Sequence, residues 1–271
     1  MSNISNGGNR SAESGTLLKN IPNIFTLLNL FFGCLAILYT LQTGITLTSS
    51  SSPECLDLIV IPEKIYMASV FIGIAAVIDF LDGFVARLLK ASSEMGKQLD
   101  SLADVVSFGV APGMIIYQFL RLSYAQQPDG LDINALWLMP AFLVPCAGAY
   151  RLARFNIDTE QSYGFKGVPI PAVGLLIASF PLIYLYSNEA WKVLCNHWFW
   201  DAIIVIVSYL MISTLPMLAL KFKNATIKSF LPFIILAVIA IISALIVRWI
   251  AVPITFAAYV ILSLVYKQNK V

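Results

Sequence analysis

The stretch that decides the fold runs from Asp79 to Asp104 and reads DFLDGFVARLLKASSEMGKQLDSLAD. Its four aspartates, Asp79, Asp82, Asp100 and Asp104, lie inside or at the ends of apolar segments. An ionised side chain at the bilayer centre costs roughly 2.5 kcal/mol or more, so such residues usually mark a functional site. The first two aspartates are three positions apart and the last two are four apart, so each pair shares one face of a helix. Two facing helices would direct four carboxylates, which suit Mg²⁺ and Mn²⁺, at one or two ions.

The composition is that of an integral membrane protein. Of the 271 residues, 59% are hydrophobic and 12% are charged, and the mean hydropathy is +0.82. No polar stretch is long enough to fold as a separate soluble domain. We therefore predict a polar, disordered cytoplasmic tail over residues 1–20 and a single transmembrane catalytic domain over residues 21–271. The net charge of +2 gives no indication of nucleic-acid binding.

Eight apolar runs are long enough to cross about 30 Å of hydrocarbon as helices. They cover about 22–45, 65–86, 101–121, 136–153, 168–187, 201–220, 229–247 and 250–266. The last two runs are joined so tightly, around Arg248 and Pro253, that they must form a hairpin. The predicted fold is therefore an all-α integral membrane bundle of about eight transmembrane helices.

Basic residues are concentrated in alternate connections between these runs. One side of the membrane would hold Arg10, Lys19, Arg87, Lys90, Lys97, Arg151, Arg154, Lys166, Lys221, Lys223, Lys228, Lys267 and Lys270. The other side would hold Lys64, Arg121, Lys192 and Arg248. By the positive-inside rule the richer side is cytoplasmic. Both termini and the four aspartates are then expected on the cytoplasmic side of the cell's inner membrane, within reach of water-soluble substrates.

Four cysteines give little indication of metal binding. Cys34 and Cys146 lie within apolar runs and suit small apolar positions. Cys55 and Cys195 both fall in predicted exterior loops, where they form either a disulfide or two free thiols. Without a Cys-x-x-Cys motif or a nearby histidine, zinc binding is not expected.

The aspartate stretch also resembles the signature of the CDP-alcohol phosphotransferase family. The matching positions are Asp79, Asp82, Gly83, Ala86, Arg87, Gly96, Asp100 and Asp104. Members are membrane enzymes that move a phosphatidyl or similar group from a CDP-linked lipid to an alcohol and release CMP. The resemblance implies a homodimer, two divalent ions held by the four aspartates, and Asp104 as general base. The alternative is a structural cluster of helix-end aspartates that cap helices and pair with lysines.

Several further positions resemble the part of the family's site that binds the CDP-lipid. The segment Ile21–Asn29 reads IPNIFTLLN and is similar to a P-N-x-x-T element that lies beside the nucleotide, which assigns Asn23 and Thr26 to that contact. Asn23 can instead cap the helix and Thr26 can bond to its own backbone, and a role for Asn29 is left open.

The resemblance also assigns four positions near the aspartates to the nucleotide and its diphosphate. Gly83 and Ala86 would leave room for cytidine, while Arg87 and Ser93 would contact phosphate oxygens. Arg87 can equally be an interface arginine that extends toward water. Ser92 is as good a helix cap as Ser93.

The choice of alcohol rests on residues 151–156, RLARFN, and 165–171, FKGVPIP. These segments resemble the membrane-embedded phosphatidylserine synthases within the family. That resemblance implies CDP-diacylglycerol as donor and L-serine as acceptor, with Arg151 or Arg154 binding the serine carboxylate. Both arginines can otherwise anchor the protein at the interface.

Two other functions compete with this hypothesis. Another enzyme of the same family would use glycerol 3-phosphate or inositol phosphate. A transporter would use the acids to bind a coupling cation, but the acids gather at the ends of two spans, and no internal repeat is evident.

Overall fold

The computed structural model describes residues 8–42, 46–48, 58–89, 93–127, 130–157, 165–187, 190–218 and 227–266. The helices of these parts of the chain are α1 (Gly8–Gln42), α2 (Tyr66–Leu88), α3 (Glu94–Asp104), α4 (Ala111–Ala125), α5 (Leu143–Ile157), α6 (Ile170–Tyr186), α7 (Trp191–Leu194), α8 (His197–Ile212), α9 (Ile227–Val247) and α10 (Ala251–Val265). Short 3₁₀ segments precede α2, α5 and α10. Each of the eight predicted runs contains a helix.

Five helical stretches of the described residues are long and apolar enough to cross a membrane. They are Pro22–Gln42, Glu63–Leu88, Glu94–Ala125, Ala135–Ile157 and Phe230–Val265. Two shorter apolar helices, α6 and α8, complete the bundle. The all-α membrane fold predicted from composition and hydropathy is therefore confirmed.

The first and sixth predicted spans differ from the structure. Helix α1 begins at Gly8, so it starts well before residue 22, where the first predicted span begins. Helix α8 ends at Ile212, short of the predicted residue 220. Pro216 explains the early end, because proline lacks an N–H and disfavours helix at the residue before it.

Two short antiparallel strand pairs join the helices and were not predicted. β1 (Thr46–Thr48) pairs with β2 (Leu58–Val60) between α1 and α2. β3 (Phe165–Lys166) pairs with β4 (Pro216–Met217), placing the segment before α6 beside the segment after α8.

The span that carries the second pair of aspartates has an irregular centre. Ser93 caps its start, and α3 carries Asp100 and Asp104. A π-helical turn, Val105–Val110, follows Asp104 directly and leads into α4. The prediction began this span at residue 101, whereas the helix begins at Glu94, so both aspartates lie within it.

Helix α4 lies at the centre of the bundle and is buried along most of its length. Phe119 stacks on Trp200 of α8 with ring centroids 4.8 Å apart, and both side chains are fully buried.

The last two helices, α9 and α10, pack against each other, and Arg248 in the turn between them has a φ of 50°. The predicted hairpin is confirmed. Most of its described side chains are at least partly exposed, as for Leu245 at 82%, as expected for a surface against lipid.

Candidate active site

Three carboxylates converge where α2 and α3 meet. Oxygens of Asp79, Asp82 and Asp100 all lie within 4.8 Å of one another. Asp82 is buried and the other two are half-buried. Anionic groups this close repel one another strongly unless cations or protons neutralise them. Three hard oxygen donors at this spacing fit a divalent ion such as Mg²⁺ or Mn²⁺.

Asp104 lies one helical turn beyond Asp100 and is 7% exposed. It is outside the group of three, but its carboxyl group lies close enough to that of Asp79 for the two to interact directly. The structure therefore brings together all four aspartates that the sequence singled out. The two aspartates of the second pair differ in burial, because Asp104 is buried and Asp100 is only half-buried.

Helix α1 runs past this cluster and presents one polar stripe to it. The Thr26 hydroxyl donates a 2.8 Å hydrogen bond to Asp82 Oδ2 and also lies 3.2 Å from its own turn's Pro22 carbonyl. One turn later, Asn29 Nδ2 donates to Asp104 Oδ1 at 3.3 Å. Thr26 and Asn29 thus contact acids, a role that the sequence did not assign to either.

Asn23, the third polar residue of this stripe on α1, lies beside the start of α3. A Cβ added to Gly96 would come within 3.1 Å of Asn23 Oδ1 and of Ser93 Oγ. Ser93 Oγ accepts a hydrogen bond from Gly96 N, which makes Ser93 the helix cap. Asn23 and Ser93, both predicted to bind the CDP-lipid, therefore meet at one helix N-terminus, whose free N–H groups favour anions.

The small-residue face of α2 lies beside open space. A Cβ added to Gly83 would meet no atom of the described residues within 4 Å. Ala86 is half-buried on the same helix. Arg87 is exposed, and its Nε donates to the Gly83 carbonyl at 2.9 Å. Nothing in the described residues fills the place where the sequence predicts a ligand.

The two arginines of the RLARFN segment have different surroundings. Arg151 is 6% exposed, and its buried Nε has no hydrogen-bond partner among the described residues. Its guanidinium lies 5.8 Å from the Phe155 ring centroid and within electrostatic range of Asp104. An arginine buried in this way is costly unless an anionic partner approaches it.

Arg154 is already engaged by the protein. Its two terminal nitrogens donate to the carbonyls of Ile212, at 2.7 Å, and Ser213, at 3.0 Å. These carbonyls belong to the end of α8, where backbone acceptors lack helical partners. Arg154 therefore caps α8, which sequence reasoning missed because α8 was expected to continue to residue 220.

The FKGVPIP segment packs against the same helix end. Gly167 has a φ of 76°, and a Cβ there would lie 2.9 Å from the Ser213 carbonyl oxygen. Its N–H donates to the Leu215 carbonyl, and Val168 N–H donates to the Leu210 carbonyl. The glycine is needed for both its backbone conformation and this close approach.

The cysteines of the predicted exterior loops are only partly described. Cys195 is a free thiol, and burial raises its pKa to about 12. Cys55 lies outside the described residues. Of the two alternatives that the sequence left open, a disulfide or two free thiols, the free Cys195 thiol agrees with the second.

A helical membrane bundle with a carboxylate cluster at the adjoining ends of two consecutive spans defines a class of membrane protein suited to binding cations. A sequence model of the CDP-alcohol phosphatidyltransferase family matches residues 19–195, and the chain belongs to that family.

Named relatives share part of this sequence. The chain is 36% identical over 170 residues to a CDP-diacylglycerol–serine O-phosphatidyltransferase of Helicobacter pylori (strain J99), covering 62% of this chain and 58% of that protein. It is 36% identical over 128 residues to the protein of the same name from Bacillus subtilis (strain 168), covering 45% of this chain and 64% of that protein. It is 32% identical over 173 residues to an archaetidylserine synthase of Methanothermobacter thermautotrophicus, covering 63% and 66%. The chain thus spans about three fifths of the length of these relatives.

Proposed function

We propose that the protein transfers the phosphatidyl group of CDP-diacylglycerol to the hydroxyl group of L-serine and releases CMP. The observation that carries the proposal is the convergence of the Asp79, Asp82 and Asp100 carboxylates within 4.8 Å. Membership of the family and the names of the similar proteins support the reaction type and the acceptor.

Mg²⁺ or Mn²⁺ is the cofactor that this donor set fits. Bound there, a divalent ion would supply charge neutralisation for the diphosphate and polarisation of the reacting phosphoryl group. Asp79, Asp82 and Asp100 would hold it, with Asp104 as a further ligand. A cluster that served only to cap helices would not need three carboxylates within 4.8 Å of one another.

The chain's own residues account for the other requirements of the donor. The open space beside Gly83 and Ala86 takes the cytidine diphosphate group. Arg87, exposed next to it, donates to phosphate oxygens through the guanidinium nitrogens that do not bond to Gly83. Asn23 and Ser93, together at the start of α3, complete the nucleotide end of the site.

Asp104 acts as the general base. The serine hydroxyl oxygen forms a bond to the phosphorus of the phosphatidyl group, and the bond from that phosphorus to the CMP oxygen breaks. The hydroxyl proton passes to Asp104, and the electron pair leaves with CMP. Enclosure of Asp104 at 7% exposure limits access of water, which would otherwise hydrolyse the donor.

Arg151 is the better candidate for binding the serine carboxylate. It is buried and within electrostatic range of Asp104, and its Nε has no hydrogen-bond partner among the described residues. The terminal nitrogens of Arg154 already donate to the carbonyls at the end of α8, so Arg154 has a structural role beside the site. A single guanidinium suits one carboxylate, whereas a phosphorylated acceptor would favour a denser basic cluster.

We place the site on the cytoplasmic side of the inner membrane and expect a homodimer. Arg87 lies at the end of α2 that carries Asp79 and Asp82, and Lys97 lies one turn before Asp100 on α3, as the positive-inside rule leads us to expect.

The test is CMP release by the purified full-length protein in detergent with CDP-diacylglycerol and Mn²⁺. We expect turnover with L-serine to exceed turnover with glycerol 3-phosphate and with myo-inositol phosphate. Preference for a phosphorylated alcohol would overturn the acceptor and leave the reaction type. Absence of CMP with every acceptor would favour cation transport instead.

A further inference from the structure

Two of the four aspartates accept hydrogen bonds from the same face of α1. Thr26 and Asn29 are three residues apart, which puts them on one face, one turn apart. Thr26 bonds to Asp82 of α2, and Asn29 bonds to Asp104 of α3. One helix thus contacts one acid from each pair. Both side chains are almost fully buried, Thr26 at 3% exposure and Asn29 at 0%.

A second contact fixes Asn29 against the π-helical turn that follows Asp104. Ser107 Oγ donates to the Asn29 carbonyl at 3.0 Å. Gly33, one turn along α1, permits this approach, because a Cβ there would lie 2.8 Å from Ser107 Cα. The contact between Ser107 and the Asn29 carbonyl therefore fixes the backbone of α1 relative to the turn after Asp104. This holds the Asn29 side-chain amide within hydrogen-bond distance of Asp104.

The burial of Asn29 carries a cost that packing alone does not explain. Asn29 Oδ1 is buried and has no hydrogen-bond donor among the described residues. An unsatisfied buried acceptor destabilises a protein, whereas an apolar side chain of similar size would not. Leucine would fill the same space without this penalty. An asparagine here is therefore explained by the one bond that its Nδ2 makes to Asp104.

We propose that Asn29 and Thr26 are positioning residues that orient Asp104 and Asp82 for binding the divalent cation. Each donates to one oxygen of its carboxylate and so fixes the direction in which that carboxylate faces the cluster. Because both lie on α1, this helix sets the spacing between the two acid pairs. The inference rests on the proposed metal-dependent function. It assigns to Thr26 a contact with an acid in place of a contact with nucleotide.

The chain offers matched controls for both substitutions. Thr40 lies on the same helix, is fully buried, and donates to the carbonyl four residues earlier, as Thr26 does. Gln118 is a buried amide whose Nε2 donates to the Thr40 carbonyl, far along α1 from the acids. Thr40→Val and Gln118→Leu thus remove comparable groups without touching the aspartates.

The experiment measures Mn²⁺ binding to the full-length protein in detergent, from the loss of the electron paramagnetic resonance signal of free Mn²⁺, without CDP-lipid or serine. We expect Asn29→Leu and Thr26→Val to weaken binding by about 10- to 100-fold, the usual effect of losing a group that orients a metal ligand. Thr40→Val and Gln118→Leu should leave affinity unchanged. In chelator, Asn29→Leu should unfold near the wild-type temperature, while the rise in that temperature caused by Mn²⁺ should shrink.

Unchanged Mn²⁺ affinity in both Asn29→Leu and Thr26→Val would overturn the inference while leaving the proposed function in place. Equal weakening in the control variants would also overturn it, since the effect would then be general. Failure of the wild-type protein to bind Mn²⁺ at all would instead remove the proposed metal site and the function with it. Should Asn29→Leu not fold, the nearly isosteric Thr26→Val decides the outcome against Thr40→Val.

Discussion

The Asn156 side-chain amide lies 2.8 Å from the Ser101 hydroxyl, and this hydrogen bond joins the end of α5 to the acid-bearing helix α3. Lys97 Nζ adds a 3.3 Å bond to the Asn156 carbonyl. The helix that carries Arg151 and the helix that carries Asp100 are therefore tied directly. In the proposed reaction, this tie sets the distance between Arg151, which binds the serine carboxylate, and the carboxylates of α3, beside which the serine hydroxyl reacts.

Replacing Asn156 by Ala should loosen that tie. A hydrogen bond of this kind contributes about 0.5–1.5 kcal/mol, so the serine KM should rise roughly 2- to 10-fold while the CDP-diacylglycerol KM changes little. Asn134→Ala is the control, because Asn134 caps a 3₁₀ segment before α5 and accepts from Leu136 N. A parallel rise of both KM values in Asn156→Ala would argue against a specific link between the helices.

Asp104→Asn should lower turnover by about 100-fold or more, the usual contribution of a general base. At saturating Mn²⁺, CDP-diacylglycerol binding and the unfolding temperature should change little, because Asp79, Asp82 and Asp100 still hold the ion and asparagine keeps the shape of the side chain. Steady-state CMP release and equilibrium binding of the CDP-lipid measure the two effects. Asp201→Asn on α8 serves as the control for removal of a carboxylate elsewhere. Near-normal turnover in Asp104→Asn would exclude Asp104 as the base.

Chelation of divalent cations should abolish CMP release, and added Mg²⁺ or Mn²⁺ should restore it. The reason is the mutual repulsion of the three carboxylates that lie within 4.8 Å, which a bound ion relieves. CMP release that persists in excess chelator would require a metal-free mechanism, which this cluster does not suggest.

Replacement by lysine should have different effects at the two arginines of α5, Arg151 and Arg154. Arg151→Lys keeps the charge but loses the fork geometry, so the serine KM should rise at least about 10-fold with little change in the CDP-diacylglycerol KM. Arg154→Lys cannot reach both the Ile212 and Ser213 carbonyls in the same way, so it should lower the unfolding temperature. A serine-specific defect in Arg154→Lys and none in Arg151→Lys would reverse the assignment.

Gly167→Ala should destabilise the protein by about 1–3 kcal/mol, the cost of a strained backbone residue. Its φ of 76° disfavours alanine, and the added Cβ would press on the carbonyls at the end of α8. The unfolding temperature in detergent measures the loss. Gly73→Ala is the matched control, since a Cβ at Gly73 meets nothing within 4 Å. Equal stability of the two variants would show that the Gly167 turn carries no constraint.

The sequence predicted the spans and the acid cluster well because both depend on local signals. Apolar runs locate helices in a membrane, and the three- and four-residue spacings of the aspartates fix the faces they share. The prediction was that all four carboxylates converge; those of Asp79, Asp82 and Asp100 lie within 4.8 Å of one another, and Asp104 is outside that group.

Other parts of the site depend on contacts between distant segments and could not be predicted in this way. The spacing of Thr26 and Asn29 gives a common face but not its partners, Asp82 and Asp104. The role of Arg154 depends on where α8 ends, 58 residues later in the chain. A hydropathy profile does not locate that end, because residues 213–220 are still largely apolar.

The π-helical turn at Val105–Val110 has a consequence for how this span can change. A π-turn holds one residue more than the same turn of α-helix, so it rotates everything after it by about 100°. The π-helical turn therefore sets the rotation of α4 about the helix axis relative to α3. Helix α3 can direct Asp104 at the acid cluster while α4 directs its own side chains into the centre of the bundle. Deleting one residue from this turn would restore a uniform helix and swing one half out of phase, either the acids away from α2 or Phe119 away from Trp200.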